Sequence, residues 1–206
     1  MNSSKKRCYN AATRKLTHVD LQPSDNPPMP EFLTAAAAAQ LALLPYNYSE
    51  LGATRGPLPP GYHHIDQQRQ IGSGATVFDE ARLTLMSWQV LTRAGIGATV
   101  SSAQVTEGAI VDQLIRFGPW RLQAPCRVVY VIDEEHRCGF AYGALQGHPE
   151  IGEELFVISR DPGSESVTFQ IRSFSRAGNR LTRLGGPVSR RVQRHFVGRY
   201  LRSLVG

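Results

Sequence analysis

The sequence predicts an α+β fold in which a curled antiparallel sheet wraps around a long C-terminal helix. Three observations lead there. Strand-like segments fill residues 97–175 with only short turns between them, the pattern of an antiparallel meander. A segment of helical period, itself preceded by one strand, comes before that run. A second helical segment closes the chain with a single apolar side, and the concave face of the sheet is the simplest place to bury it.

Composition sets the bounds. At 206 residues, 41% hydrophobic and 19% charged, the chain fits one globular domain with room for an appended segment. That length buries a substantial core without covalent staples. Net charge is +6, and residues 172–206 hold nine arginines with no Asp or Glu. A basic C-terminal segment therefore follows a mildly acidic body. Cys8, Cys126 and Cys138 are few and odd in number, which argues against a disulfide framework and for a reducing, cytoplasmic setting. No basic leader runs straight into an apolar stretch, and none reaches the roughly 18–20 residues of a membrane span.

In chain order, residues 1–30 read as a polar, proline-bearing arm. Glu31–Leu44 reads as a short helix built on the alanines Ala35–Ala39 and stopped by Pro45. Together these form an N-terminal extension over 1–45, and 46–206 is expected to be a single domain. Residues 46–61 are irregular, and Tyr62–Ile71 is a polar strand suited to a sheet edge. Gly72-Ser73-Gly74 leads into a helix over Thr76–Ala94, capped by Ser73 or Thr76. The strand, G-x-G and helix invite comparison with a dinucleotide site, but Val77 stands where the third glycine belongs and no parallel alternation follows. Val77, Phe78, Ala81, Leu85, Trp88 and Leu91 form the core face of that helix, and Trp88 is also placed to wall a cavity.

Strands then follow at Ala109–Phe117, Cys126–Ile132, Cys138–Leu145, Glu153–Ser159 and Glu165–Phe174. The last alternates cleanly, with Val167, Phe169 and Ile171 on one face. Cys126 and Cys138 fall on two arms of one hairpin, too far apart to bridge. The closing helix, Pro187–Val205, carries Val188, Val192, Phe196, Tyr200 and Leu204 on one side. Arg190, Arg191, Arg194, Arg199 and Arg202 occupy the other.

The chemistry is densest in Arg137–Phe156, where a turn at Gln146–Gly152 brings His148, Glu150, Glu153 and Glu154 together in sequence. His148 and Glu150 are the candidate catalytic pair, since a carboxylate beside an imidazole orients it and raises its basicity. The competing reading is structural: Glu150 caps the turn, and Glu153 or Glu154 pairs with Arg127 or Arg137. Strand alternation sends Glu153 and Glu154 to opposite faces, so both cannot line one pocket. The spacing matches no metal motif, and neither a metal nor a cofactor is expected.

The element order resembles the helix-grip fold of START and Bet v 1-like proteins, in which sheet and helix enclose an apolar cavity. A closer likeness lies in a series of short motifs: YSELGAT (Tyr48–Thr54), LPPGY (Leu58–Tyr62), IGSG (Ile71–Gly74), Trp88-Gln89, Ala94-Gly95 and PCRVVY (Pro125–Tyr130). Gly139–Phe156, Phe174–Arg176, Gly186-Pro187 and Tyr200-Leu201 complete it. In that order they resemble the bacterial and plant domain-of-unknown-function family number nineteen-ninety, over about residues 46–205. That resemblance brings no established activity. Ala144 and Gln146 depart from it, standing where the family usually shows Thr and often shows Pro.

Trp88, Val128, Tyr130, Phe140, Tyr142 and Phe169 are more bulk than a tight sheet–helix junction accommodates, and buried tyrosines need partners. A pocket between residues 126–145 and the last helix, with Tyr130 or Tyr142 reaching in, meets both demands. The expected partner is an apolar or amphipathic small molecule. The alternatives are an enzyme acting on such a molecule through His148 and nearby carboxylates, or an adaptor that holds nucleic acid or acidic partners on the arginine helix. No nucleic-acid motif accompanies those arginines, so no specific nucleic acid is expected. Weak membrane-surface contact fits a basic amphipathic helix.

Overall fold

The computed structural model describes residues 29–117, 120–178 and 186–204. Most of the N-terminal arm, Cys8 and the side chains of Val188, Arg190, Arg191, Val192 and Arg194 lie outside this description.

The elements run Glu31–Phe32 (β1), Ala35–Ala42 (α1), His63–Ser73 (β2), Ala75–Met86 (α2), Gln89–Arg93 (α3), Gly97–Val100 (β3) and Ile110–Phe117 (β4). Trp120–Asp133 (β5), Arg137–Ala144 (β6), Glu150–Arg160 (β7), Ser166–Ala177 (β8) and Gly186–Ser203 (α4) follow. They form one sheet in the order β1-β3-β4-β5-β6-β7-β8-β2. The meander β3 to β8 is antiparallel throughout, β2 pairs antiparallel with β8, and β1 is parallel to β3. The polar strand β2 lies at a sheet edge, where its exposed side chains cost little.

One face of the sheet carries the main core. Cys126, Val128, Phe140, Phe156, Phe169 and Ile171 pack there against Phe78, Leu85, Trp88 and Leu91 of the α2–α3 region and Val197, Tyr200 and Leu204 of α4. On the outer face a smaller cluster gathers Tyr130, Ala141, Leu155 and Val157. The alternation read for β8 holds, with Val167, Phe169 and Ile171 all on the core side.

Local chemistry explains where element bounds differ from expectation. Thr34 caps α1 by accepting from the Ala37 amide at 3.2 Å, so the helix starts at Ala35 and Glu31–Phe32 stays extended. Arg127 then ties down its C-terminal end, donating to the carbonyls of Ala42 and Leu44 at 2.8 Å each, as a cation at a helix C-terminus should. Neither Ser73 nor Thr76 caps α2. Its N-cap is Gly74 without a side-chain bond, and the Ser73 hydroxyl donates to the Glu165 carbonyl instead. The G-x-G is a packing feature, because Gly72 lies where a Cβ would crowd the Val77 side chain.

The expected helix Thr76–Ala94 is two helices. It breaks at Trp88, whose backbone is left-handed at φ 65°. That conformation is unfavourable for a bulky residue and is held by tertiary packing. Trp88 is fully buried, its indole N–H donates to the Ser102 carbonyl at 3.0 Å, and its ring meets Phe140 edge-on at 5.3 Å. Trp88→Ala is expected to cost about 3–5 kcal/mol, the range for emptying a buried tryptophan site. Urea denaturation of the purified variant measures it, and a loss below about 1 kcal/mol would contradict this packing account.

Candidate functional site

Two adjacent glutamates define the two faces of β7. Glu153 points outward and is 3% exposed. A buried carboxylate is costly unless its lone pairs are filled, and here the segment carrying YSELGAT fills them. The Tyr48 hydroxyl and the Gly52 amide each donate to Oε2 at 2.7 Å. The Thr54 amide donates to Oε1 at 3.1 Å, and the Thr54 hydroxyl donates to the same oxygen. Tyr130 adjoins that hydroxyl at 2.7 Å, and the Arg55 guanidinium covers the Tyr130 ring at 3.8 Å. Arg172 donates to the Thr54 carbonyl at 3.0 Å. Only glycine fits at 143, because any Cβ there would run into the Tyr48 hydroxyl. Burial, then the Glu153 charge, raises the Tyr48 phenol well above its ordinary range.

Glu154 points inward, toward α4. The register sets it opposite Tyr142 of β6 and Ser173 of β8. The Tyr142 hydroxyl donates to its Oε2 at 2.7 Å. Tyr200 of α4 approaches both groups and rests edge-on against Phe156 at 5.0 Å. Cys126 continues this polar line across the sheet, with the Gln113 amide nitrogen 3.7 Å from its sulfur. All around lies the apolar core cluster. Desolvation pushes the Glu154 carboxyl from 4.5 up to about 7, although the Tyr142 hydrogen bond pulls the other way. Burial likewise raises Cys126, Tyr142 and Tyr200 well above their ordinary values. A carboxyl that changes charge near neutrality, flanked by two phenols, can accept or deliver a proton and can hold a polar group of a ligand.

The structure brings Trp88, Val128, Phe140, Tyr142 and Phe169 together in the inner cluster. Tyr130 is the correction. A bulge between Val128 and Tyr130 shifts the β5–β6 register by one residue and turns Tyr130 to the outer face, among Ala141, Leu155 and Val157. His148 and Glu150 do form a turn, but the imidazole is the capping group. His148 Nδ1 lies 2.9 Å from both the Glu150 amide and the Glu150 carbonyl, so the turn backbone occupies that nitrogen in either tautomer. Burial lowers the His148 pKa from 6.5 to about 4, against the opposing backbone hydrogen bond at Glu150. Neither arginine named for the glutamates reaches them: Arg127 serves the end of α1, and Arg137 faces Glu134 at 3.4 Å.

A further cleft of about 580 Å³ opens at the far tips of β6–β8, lined by His136, Arg137, Arg160, Asp161 and Ser164 among others. Its charged groups are largely engaged with one another, Arg160 with His136 and Asp161 with Ser164. Among the described residues no group of three or more His, Cys, Asp or Glu is arranged to hold a metal ion. No described helix is long and apolar enough to cross a membrane. On α4, Arg199 lies against Gly95 and Arg202 is exposed. Sequence reasoning separated Glu153 from Glu154 but did not single out Glu154 or Tyr200. The available signal was a tyrosine interrupting an otherwise aliphatic and aromatic helix stripe.

Comparison with known proteins places the chain. The family model described as "Domain of unknown function (DUF1990)" matches residues 47–203. A UPF0548 protein of Deinococcus radiodurans is 34% identical over 193 residues, covering 87% of this chain and 95% of that one. A UPF0548 protein of Arabidopsis thaliana is 30% identical over 61% of this chain and 63% of its own length. Among solved structures, a hypothetical protein of Helicobacter pylori superposes with a TM-score of 0.52 at 10% identity, covering 71% of this chain and 89% of that one. Ara h 8.0201 gives a TM-score of 0.44 at 10% identity, covering 70% and 99%. The architecture is the helix-grip, Bet v 1-like fold.

The two buried titrating groups act on stability with opposite signs. Glu154 has a folded pKa above its unfolded value, so the folded state binds the extra proton and stability falls as pH rises from about 4.5 through about 7. His148 has a folded pKa below its unfolded value, so stability rises from about pH 4 through 6.5. Each contributes on the order of 3 kcal/mol at most, and in the wild type they largely offset. Relative to wild type, His148→Gln should lose stability on going from pH 4.5 to 7, and Glu154→Gln should gain it from pH 4 to 6.5. Urea midpoints of the three proteins across this range check the signs, and parallel curves would refute them.

Proposed function

The chain belongs to the DUF1990 family, and we propose that its function is to bind an apolar or amphipathic small molecule between the concave face of the sheet and α4. One observation carries this reading: Glu154, a half-buried acidic residue set into an otherwise apolar inner face. A protein that needed only a solid core would gain stability by replacing Glu154 with an apolar side chain of similar volume. An apolar wall with a few polar tips is the usual character of a small-molecule site. Tyr142 and Tyr200 supply the tips beside Glu154, and Trp88, Val128, Phe140, Phe156 and Phe169 supply the wall. The Tyr142 and Tyr200 hydroxyls are hydrogen-bonding groups in their own right, so the ligand's polar end belongs at this level of the sheet.

A catalytic version of this reading runs through Glu154, not His148. Glu154 lies near neutrality, as a general acid–base group should, whereas burial lowers His148 to about 4 and the Glu150 backbone occupies its Nδ1. Tyr142 would then orient the carboxyl, and the substrate would be the same apolar class.

A neutral environment-sensitive dye such as Nile red is expected to bind the folded protein saturably at one site and to be displaced by fatty or polycyclic compounds. Substituting Phe156→Trp or Val128→Trp should fill the space and abolish that binding while leaving the circular dichroism spectrum unchanged. Absence of saturable binding to the wild type, or binding untouched by either substitution, would overturn the assignment.

A further inference from the structure

We propose that Glu154 is the counter-charge for a protonated amine, so that the ligand of this site is a basic amine carried on an apolar body. This rests on the cavity reading above and specifies what that cavity selects.

The argument begins with what faces the carboxyl. Tyr142 approaches from β6, Ser173 from β8, Cys126 from β5 and Tyr200 from α4, and the Glu150 charge on its own strand also acts on it. None of these is a cation, and no described ion pair includes Glu154. Glu153, one residue away, shows what this chain does when a buried carboxylate is structural: it surrounds it with four donors from one segment. Glu154 has one described donor, Tyr142 on Oε2. The residue as a whole is half-buried.

Aromatic faces complete the environment. Tyr142 and Phe156 have ring centroids 5.5 Å apart, and Phe156 and Tyr200 are 5.0 Å apart. Rings grouped beside a carboxylate attract an ammonium twice over, through a charge-assisted hydrogen bond and through their negative π faces. The same place discriminates among polar heads on equal apolar bodies. An ammonium gains both interactions, a hydroxyl gains a hydrogen bond to the carboxylate without charge pairing or cation–π attraction, and a carboxylate meets repulsion from Glu154. Desolvation is the cause of the raised Glu154 pKa, and a bound ammonium would bring that pKa back down.

The test uses three probes with one chain: decylamine, decanol and decanoate. At pH 8 the full-length protein is expected to bind decylamine at least about tenfold more tightly than decanol, the ratio that about 1.4 kcal/mol of charge-assisted bonding gives. Decanoate should bind more weakly than either. In Glu154→Gln the preference for decylamine over decanol should disappear, and an unchanged circular dichroism spectrum with retained Nile red binding shows that the variant is folded. At pH 6 calorimetry in buffers of different ionisation enthalpy should register proton release when decylamine binds the wild type. Equal affinity for decylamine and decanol in the wild type, or an amine preference that survives Glu154→Gln, would overturn the inference and leave the cavity reading standing. Failure of all three probes would overturn it too, and the dye experiment then decides whether the cavity reading goes with it.

Discussion

The burial of one carboxylate organises the outer half of this molecule. Glu153 cannot be taken from water without donors, and its own strand offers none on that face. The donors come from Tyr48, Gly52 and Thr54, about a hundred residues earlier in the chain. The irregular segment between α1 and β2 is therefore fastened across the sheet as a cover. Asn47 extends the seam by donating to the Glu150 carbonyl at 2.8 Å, and the Gln146 amide donates to Pro45 at 2.9 Å. Phe174 is enclosed between Tyr48 and Tyr62 at 5.7 and 5.0 Å. Removing one partner of such a network leaves the others buried and unsatisfied, so its members stand or fall together.

With the outer face closed by polar chemistry, the inner face is free to do something else. Glu153 and Glu154 are adjacent in sequence and separated only by the pleat of one strand. The first lies in a ring of donors from one covering segment, and the second lies among rings and aliphatic side chains with a single phenol donating to it. The same residue type is thus a structural anchor on one side and a titrating group on the other. The difference arises from environment, which is how carboxyl groups acquire distinct roles elsewhere in protein chemistry.

Much of this was legible in the sequence. Period-two alternation places Val167, Phe169 and Ile171 on the core side and sends the two glutamates to opposite faces, as the structure has them. The polar character of Tyr62–Ile71 marks an edge strand, which the structure places at His63–Ser73. What sequence could not supply was non-local. The Val129 bulge inverts the face of Tyr130 and has no signature in PCRVVY, since it depends on how β5 meets β6. The break at Trp88 is equally invisible, because the apolar stripe continues through it and only tertiary packing holds the left-handed turn. The sequence points to His148 and Glu150 as the candidate pair, but burial lowers His148 to about 4, and the group nearer neutrality is a glutamate whose neighbours come from four different elements.

The central claim is that Glu154 waits near neutral pH for a charged partner. Carboxyl-carbon NMR on protein labelled at glutamate measures it directly. One resonance should titrate with a midpoint near 7, as the burial of Glu154 requires, and be absent from Glu154→Gln. In the presence of a saturating amine its midpoint should move back toward the ordinary carboxyl range. A Glu154 resonance with an ordinary midpoint near 4.5 in the free protein, unmoved by any amine, would contradict the account.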